Sequence, residues 1–218
     1  MVKAVVFDMD GLMFDTERVF VQAWDYAGEK IGIGKAGHMV LKTLGLNIHA
    51  TREIWQREYG DRYSEEDLRK YTKEFVQEYY RNHKTPVKKG LYNLLNYLKN
   101  AGYPLGIATS SSRLEVEKHL ANAGITDRFQ AIATGDVIKN SKPAPDLYIK
   151  ACELLNVAPE CCIALEDSRN GILSANAAGC KTIMVPDLWQ PDEQVEKLLY
   201  ARCDNLDDVI TVFATLNS

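Results

Sequence analysis

Val5-Val6-Phe7-Asp8-Met9-Asp10-Gly11-Leu12 is the stretch whose reading decides how this chain folds. An apolar run ends in two carboxylates one residue apart and then a glycine, the pattern of a buried strand emerging into a site. Side chains alternate along a strand, so Asp8 and Asp10 start on one face and converge just past its end. Gly11 lets the backbone turn away there. Two like charges cost about 4 kcal/mol at about 4 Å in an effective dielectric of about 20, unless a cation or a shared proton relieves them. The stretch therefore predicts a metal, a proton-sharing pair of acids, or both. The plainer alternative is an edge strand that ends in a solvated acidic turn.

The 218 residues are 46% hydrophobic and 26% charged, enough for a sizeable core in one domain or two small ones. A formal net charge of -4, with no basic run interleaved with aromatics, speaks against nucleic acid as a partner. The opening Met-Val-Lys runs straight into a strand, and no apolar stretch approaches a membrane span. A cytoplasmic chain without a membrane partner is expected. Cys152, Cys161, Cys162, Cys180 and Cys203 are odd in number and lack paired C-x-x-C spacing, so they read as buried thiols rather than a zinc site. His38, His49, His83 and His119 are scattered and carry no metal-ligand spacing.

Beyond the acidic turn the period changes. Phe20, Ala23, Trp24 and Ala27 form an amphipathic helical stripe, read as packing. Gly32-Ile33-Gly34-Lys35-Ala36-Gly37 matches G-x-G-x-x-G, yet no strand feeds it, so it reads as an interhelical loop and not a dinucleotide site. Ser64 is placed to cap a helix whose first turn carries Glu65, Glu66 and Asp67 and whose stripe is Leu68, Tyr71, Phe75 and Tyr79. Nothing between about residues 16 and 86 alternates like a strand, which predicts an all-helical insertion ending at Thr85-Pro86. From Val87 the pattern runs strand and helix by turns, with strands at 104–108, 131–133, 161–165 and 181–185. Such alternation predicts a parallel α/β sheet, with sites at the carboxyl ends of its strands.

Three further polar groups fall at or after those strand ends. Thr109 and Ser110 precede a helix N-terminus, where hydroxyls and backbone N–H groups suit a phosphate. Lys142 stands in Asn140-Ser141-Lys142-Pro143-Ala144-Pro145-Asp146, a loop stiffened by its prolines. Glu166-Asp167 closes the apolar run 162–165. Taken singly, these are a helix cap, a surface lysine and an acidic N-cap. Together, Asp8, Asp10, Glu166 and Asp167 concentrate a charge that calls for a divalent cation, and an all-oxygen set favours Mg²⁺. Lys142 would offset charge on a bound phosphate.

With these motifs in order, the chain resembles the haloacid dehalogenase superfamily, in its subfamily IA branch of phosphatases and β-phosphoglucomutase-like enzymes with a helical C1 cap. The resemblance runs through Asp8-Met9-Asp10-Gly11, Thr109-Ser110, Lys142 and Glu166-Asp167 and covers essentially the whole chain. It implies a Rossmann-like core from residues 1–15 and 87–218, with an all-helical cap over 16–86 that closes on the substrate. It also implies that Asp8 is a nucleophile forming an aspartyl-phosphate, and that Asp10 is the general acid and base. By the same resemblance Mg²⁺ is held by Asp8, the Asp10 backbone carbonyl and Asp167, with Glu166 a direct or outer partner. Thr109, Ser110 and Lys142 would then bind the transferring phosphoryl group.

Within that branch the departures matter. Asp10 is present, which speaks against dehalogenation, since dehalogenases lack an acid there. β-Phosphoglucomutases carry a histidine on the first cap helix where this chain has Phe20, and a short Ser-Arg segment where it has residues 45–53. Arg52 could still stand in as a substrate contact. The expectation is a monomeric Mg²⁺-dependent phosphatase acting on a small phosphorylated metabolite, such as a sugar phosphate. A β-phosphoglucomutase-type mutase is one alternative. A catalytically silent phosphate-binding regulator is another, although no element of the site is missing.

Overall fold

The computed structural model describes residues 1–43 and 48–216. Six strands form one parallel sheet: β1 Ala4–Phe7, β2 Leu105–Ala108, β3 Ala131–Ala133, β4 Cys162–Glu166, β5 Lys181–Met184 and β6 Leu199–Arg202. The helices are α1 Thr16–Ile31, α2 Met39–Thr43, α3 Ile48–Tyr59, α4 Glu65–Asn82, α5 Leu91–Asn100, α6 Arg113–Ala123, α7 Asp146–Leu155, α8 Arg169–Ala178, α9 Glu193–Glu196 and α10 Leu206–Leu216. The strand order is β3-β2-β1-β4-β5-β6. This is the parallel α/β sheet that the alternation of strands and helices predicts, in the Rossmann-like arrangement that the resemblance implies. Chain order runs outward from β1 on one side to β3 and on the other side from β4 to β6. The direction of winding therefore reverses between β1 and β4, and a crevice opens at their carboxyl ends.

Alternation along the strands sorts the core into two faces. Val5, Phe7, Leu105, Ile107, Ile163, Leu165 and Ile183 face one layer, where they pack with the leucines of α5 and with Val116, Leu120 and Phe213. Ala4, Val6, Ala108, Ala133, Cys162 and Ala164 face the other, with Leu147, Tyr148, Ala151 and Cys152 of α7 and Ala175 of α8. The second face is built of small residues. Cys152, Cys162 and Cys180 lie in it as reduced thiols, and all five cysteines are unbridged.

Two compact units divide the chain: Met1–Phe14 with Pro86–Ser218, and Asp15–Thr85. The helical unit is centred on Trp55, which is 1% exposed and contacts the rings of Trp24, Tyr59 and Tyr63. Ser64 caps α4 by accepting from the Asp67 N–H at 3.2 Å, as its position predicts. Gly32–Gly37 is a loop between α1 and α2.

Three details differ from the sequence reading. Phe20 is 41% exposed rather than part of the packed stripe, because the buried line of α1 runs through Val19, Ala23 and Ala27. β6 has no counterpart among the expected strands. It is an edge strand of four residues that alternate between half-buried and exposed, and without a continuous apolar run it does not register as a core strand. β4 extends to Glu166, so this acid is the last strand residue and Ser168, not an acid, caps α8. Of the altered cap segment at 45–53, residues 45–47 lie outside the described residues and the rest belongs to α3. Among the described residues no helix is long and apolar enough to cross a membrane.

Candidate active site

The charged groups meet at the reversal point of the sheet. Asp8 follows β1, and its N–H donates to the Leu165 carbonyl of β4 at 3.0 Å, fixing where its side chain leaves the sheet. Glu166 is fully buried at the end of β4, and Asp167 next to it is 7% exposed. Lys142 arrives from the loop before α7. That loop is tied to α8 by the buried Ser174 hydroxyl, which donates to the Ala144 carbonyl at 2.6 Å. Lys142 Nζ then donates to Asp8 Oδ1 at 2.5 Å and to Glu166 Oε1 at 2.6 Å.

Glu166 is surrounded by donors. Oε1 also accepts from the Tyr148 hydroxyl at 2.7 Å, while Oε2 accepts from the Asp167 N–H, the Ser168 N–H and the Ser168 hydroxyl at 3.2, 3.3 and 3.2 Å. A buried carboxylate bonded on both oxygens is held in one orientation, and here that orientation fixes Lys142. The Tyr148 ring adds a second constraint, with Lys142 Nζ 5.1 Å from its centroid. Gly171 is required by the same packing, since a Cβ there would overlap the Glu166 carboxylate.

Asp8 feels opposing influences. Burial raises its pKa, Lys142 lowers it, and Glu166 raises it again; the result is a carboxyl pushed up from 3.8 to about 8. Lys142, facing two carboxylates, is held above its ordinary value despite its burial. The Tyr148 phenol is driven well above 10 by burial and by Glu166.

Oxygens of Asp8, Glu166 and Asp167 all lie within 4.8 Å of one another. With all three acids ionised and Lys142 among them, two negative charges would be left in a buried place. A hard divalent cation fits that charge and that oxygen donor set. Gly11 belongs to the same arrangement: at φ +81° it turns the chain, and a Cβ there would collide with the Asp167 carboxylate.

The other expected site residues are placed as follows. The Asp10 carboxylate is outside the three-acid group; its Oδ2 accepts from the Ser111 hydroxyl at 2.6 Å. Thr109 is buried just past β2, and its Oγ1 accepts from the Ser111 N–H at 3.1 Å. Ser110 is exposed beside it, ahead of the capping box that Ser112 and Glu115 form on α6. Arg52 on α3 is engaged by Glu65 through two bonds of 2.6 and 3.0 Å. Ser111, Tyr148 and Ser174 were not legible as site residues. Ser111 sits in a serine run that reads as a cap, Tyr148 in the apolar stripe of α7, and Ser174 in a helix interior. His119, assigned no chemistry, is half-buried with its ring 5.5 Å from that of Phe14; desolvation lowers its pKa and the Asp10 charge opposes this.

An acid-and-lysine cluster at the winding reversal of a parallel sheet, entered directly from β1, narrows the class of protein. The chain belongs to the haloacid dehalogenase-like hydrolases, whose family profile matches residues 5–185. Its relatives place it in the phosphatase and phosphomutase branch. It is 32% identical over 191 residues to YhcW of Bacillus subtilis, named as a candidate phosphatase, covering 86% of this chain and 84% of that protein. A phosphorylated carbohydrates phosphatase of Thermotoga maritima is 28% identical over 181 residues, with 83% of each chain covered. The β-phosphoglucomutase of Bacillus subtilis is 28% identical over 183 residues, covering 81% of this chain and 80% of that one. Among solved structures, CbbY from Rhodobacter sphaeroides in complex with phosphate superposes with a TM-score of 0.75 at 25% identity, covering 96% of both chains.

Proposed function

We propose that this chain is a Mg²⁺-dependent phosphatase that hydrolyses a small phosphorylated metabolite, in the sugar-phosphate class, through an aspartyl-phosphate on Asp8. The observation that carries the reading is the Asp8–Lys142–Glu166 cluster, with Asp167 completing three converging acids. The phosphate bound to CbbY and the carbohydrate phosphates named for the Thermotoga maritima relative support the substrate class.

Asp8 attacks phosphorus and the bond to the leaving oxygen breaks, its electron pair staying on that oxygen. Asp10 gives that oxygen a proton, which a poor alkoxide leaving group needs. Water then attacks the aspartyl-phosphate, Asp10 takes a proton from it, and inorganic phosphate leaves with the Asp8 carboxylate restored. Lys142 places positive charge beside both the nucleophile and the phosphoryl oxygens, offsetting the repulsion between two anions. Thr109 and Ser110 bind those oxygens from the end of β2. Asp8, Asp167 and the Asp10 carbonyl would hold Mg²⁺, with Glu166 as an outer partner. When bound, Mg²⁺ supplies the positive charge that keeps Asp8 ionised at neutral pH and polarises the phosphate.

Hydrolysis is favoured over mutase chemistry because Phe20 stands where mutases of this branch carry a histidine, and a phenyl ring can neither bind a phosphate nor carry a proton. The test is a screen of phosphorylated metabolites with Mg²⁺ and with EDTA, following phosphate release alongside conversion of β-glucose 1-phosphate to glucose 6-phosphate. Phosphate release that EDTA suppresses by about 100-fold or more is expected. Isomerisation without release would replace this reading with a mutase, and metal-independent release would remove the cation from it.

Asp10→Asn gives a second expected outcome. Its loss in kcat/KM should be about 100-fold greater for an alkyl phosphate than for p-nitrophenyl phosphate, whose leaving group needs no proton. Equal losses on both would count against the acid role.

A further inference from the structure

The turn that carries Asp10 is closed by backbone bonds. Gly11 N–H donates to Phe14 O and Met13 N–H to Met9 O, both at 2.9 Å, and Asp10 itself bridges to Phe14. These fix the Asp10 backbone and leave its carboxyl to be oriented by what it meets. One group it meets is Ser111, whose hydroxyl donates to Oδ2 at 2.6 Å.

Ser111 has little freedom of its own. Its N–H donates to Thr109 Oγ1 at 3.1 Å, and its carbonyl accepts from the Gly135 N–H at 3.0 Å. Gly135 packs so closely that a Cβ on it would overlap the Ser110 carbonyl. The following residue, Ser112, opens the α6 capping box. The hydroxyl is thus a fixed post at the end of β2, reaching across to the turn after β1.

We propose that Ser111 is a positioning residue: by donating to Oδ2 it turns Oδ1 of Asp10 towards the leaving oxygen. This rests on the reading of Asp10 as the general acid. A carboxylic acid carries its proton on one oxygen. With Oδ2 engaged as an acceptor, the proton resides on Oδ1, and the same oxygen later takes a proton from the attacking water. Without the bond Oδ2 loses that donor, and the productive orientation is populated less of the time.

The experiment compares the Mg²⁺-loaded wild type with Ser111→Ala, Ser111→Thr and Asp10→Asn on aryl phosphates from p-nitrophenyl to phenyl phosphate. It reads how kcat/KM depends on leaving-group basicity. For Ser111→Ala the expected loss is about 10-fold on phenyl phosphate and under about 2-fold on p-nitrophenyl phosphate, with KM changed less than about 2-fold. Ser111→Thr, which keeps the hydroxyl, should return to within about 3-fold of wild type. In the Asp10→Asn background, Ser111→Ala should add nothing. An equal loss across the series, a raised KM at unchanged kcat, or a folded Thr variant no better than Ala would overturn the assignment. The two levels separate cleanly. If Asp10→Asn itself leaves the leaving-group dependence unchanged, the acid reading fails; if Asp10→Asn steepens it and Ser111→Ala does not, only the Ser111 role fails.

Discussion

Asp8→Asn is expected to lower kcat by on the order of 10³-fold or more while leaving the protein folded. The reason lies in the surroundings of Asp8. Its carboxyl is buried, faces Glu166 and is pushed up to about 8, so its ionised form is held in place by Lys142 and would be held more firmly by a cation. An amide of the same shape keeps the packing at the end of β1 and accepts from Lys142 through its oxygen, but it cannot form the acyl-phosphate. Circular dichroism and the thermal midpoint of the metal-free protein near neutral pH should therefore change little, since a carboxyl pushed up to about 8 is largely neutral there and the amide keeps both its shape and its charge. Phosphate release in the variant is the deciding measurement. Residual activity above about a tenth would remove Asp8 from the nucleophile role, because loss of an obligatory nucleophile costs far more than that.

The parts of this fold that were legible in sequence are those where local physics is strong. Apolar runs of four or five residues that end at polar residues announce strands, and the Asp8-Met9-Asp10-Gly11 turn announces where the first of them opens. The Ser64 cap was legible because a hydroxyl three residues ahead of an acid has one favourable use at a helix start. What was hidden depends on tertiary approach. Tyr148 reads as one more apolar residue of α7, and only the adjacency of α7 and β4 makes its hydroxyl a donor to Glu166. Ser111 reads as part of a polar turn, and only the pairing of β1 with β2 sets it against Asp10. Phe20 was misassigned because a stripe at helical spacing shows which residues share a face, not how far that face extends under cover.

Lys142→Met tests how the cluster balances its charges, through stability as well as turnover. The side chain of Lys142 is 8% exposed and lies between two carboxylates, so its removal leaves both buried without their common cation. Breaking such a pair is expected to cost about 3–5 kcal/mol in metal-free protein, and the loss of charge at the phosphoryl group about 10²-fold or more in kcat/KM. The pH dependence has a definite sign. In the wild type Asp8 releases its proton near 3.8 when unfolded and near about 8 when folded, so the folded state holds the proton longer and stability falls as pH rises between those values. Without Lys142 the attraction that restrains this rise is gone, so the folded value moves higher and the fall continues to more alkaline pH. The destabilisation relative to wild type should accordingly be smallest near about pH 5, where Asp8 is protonated in the folded state of both proteins, and largest near about pH 9. Urea unfolding in EDTA across that range measures it. Added Mg²⁺ should recover part of the loss, because a cation among the same carboxylates replaces the missing charge. A pH-independent difference would reduce Lys142 to a packing residue, and a larger loss at acid pH would reverse the charge assignment altogether.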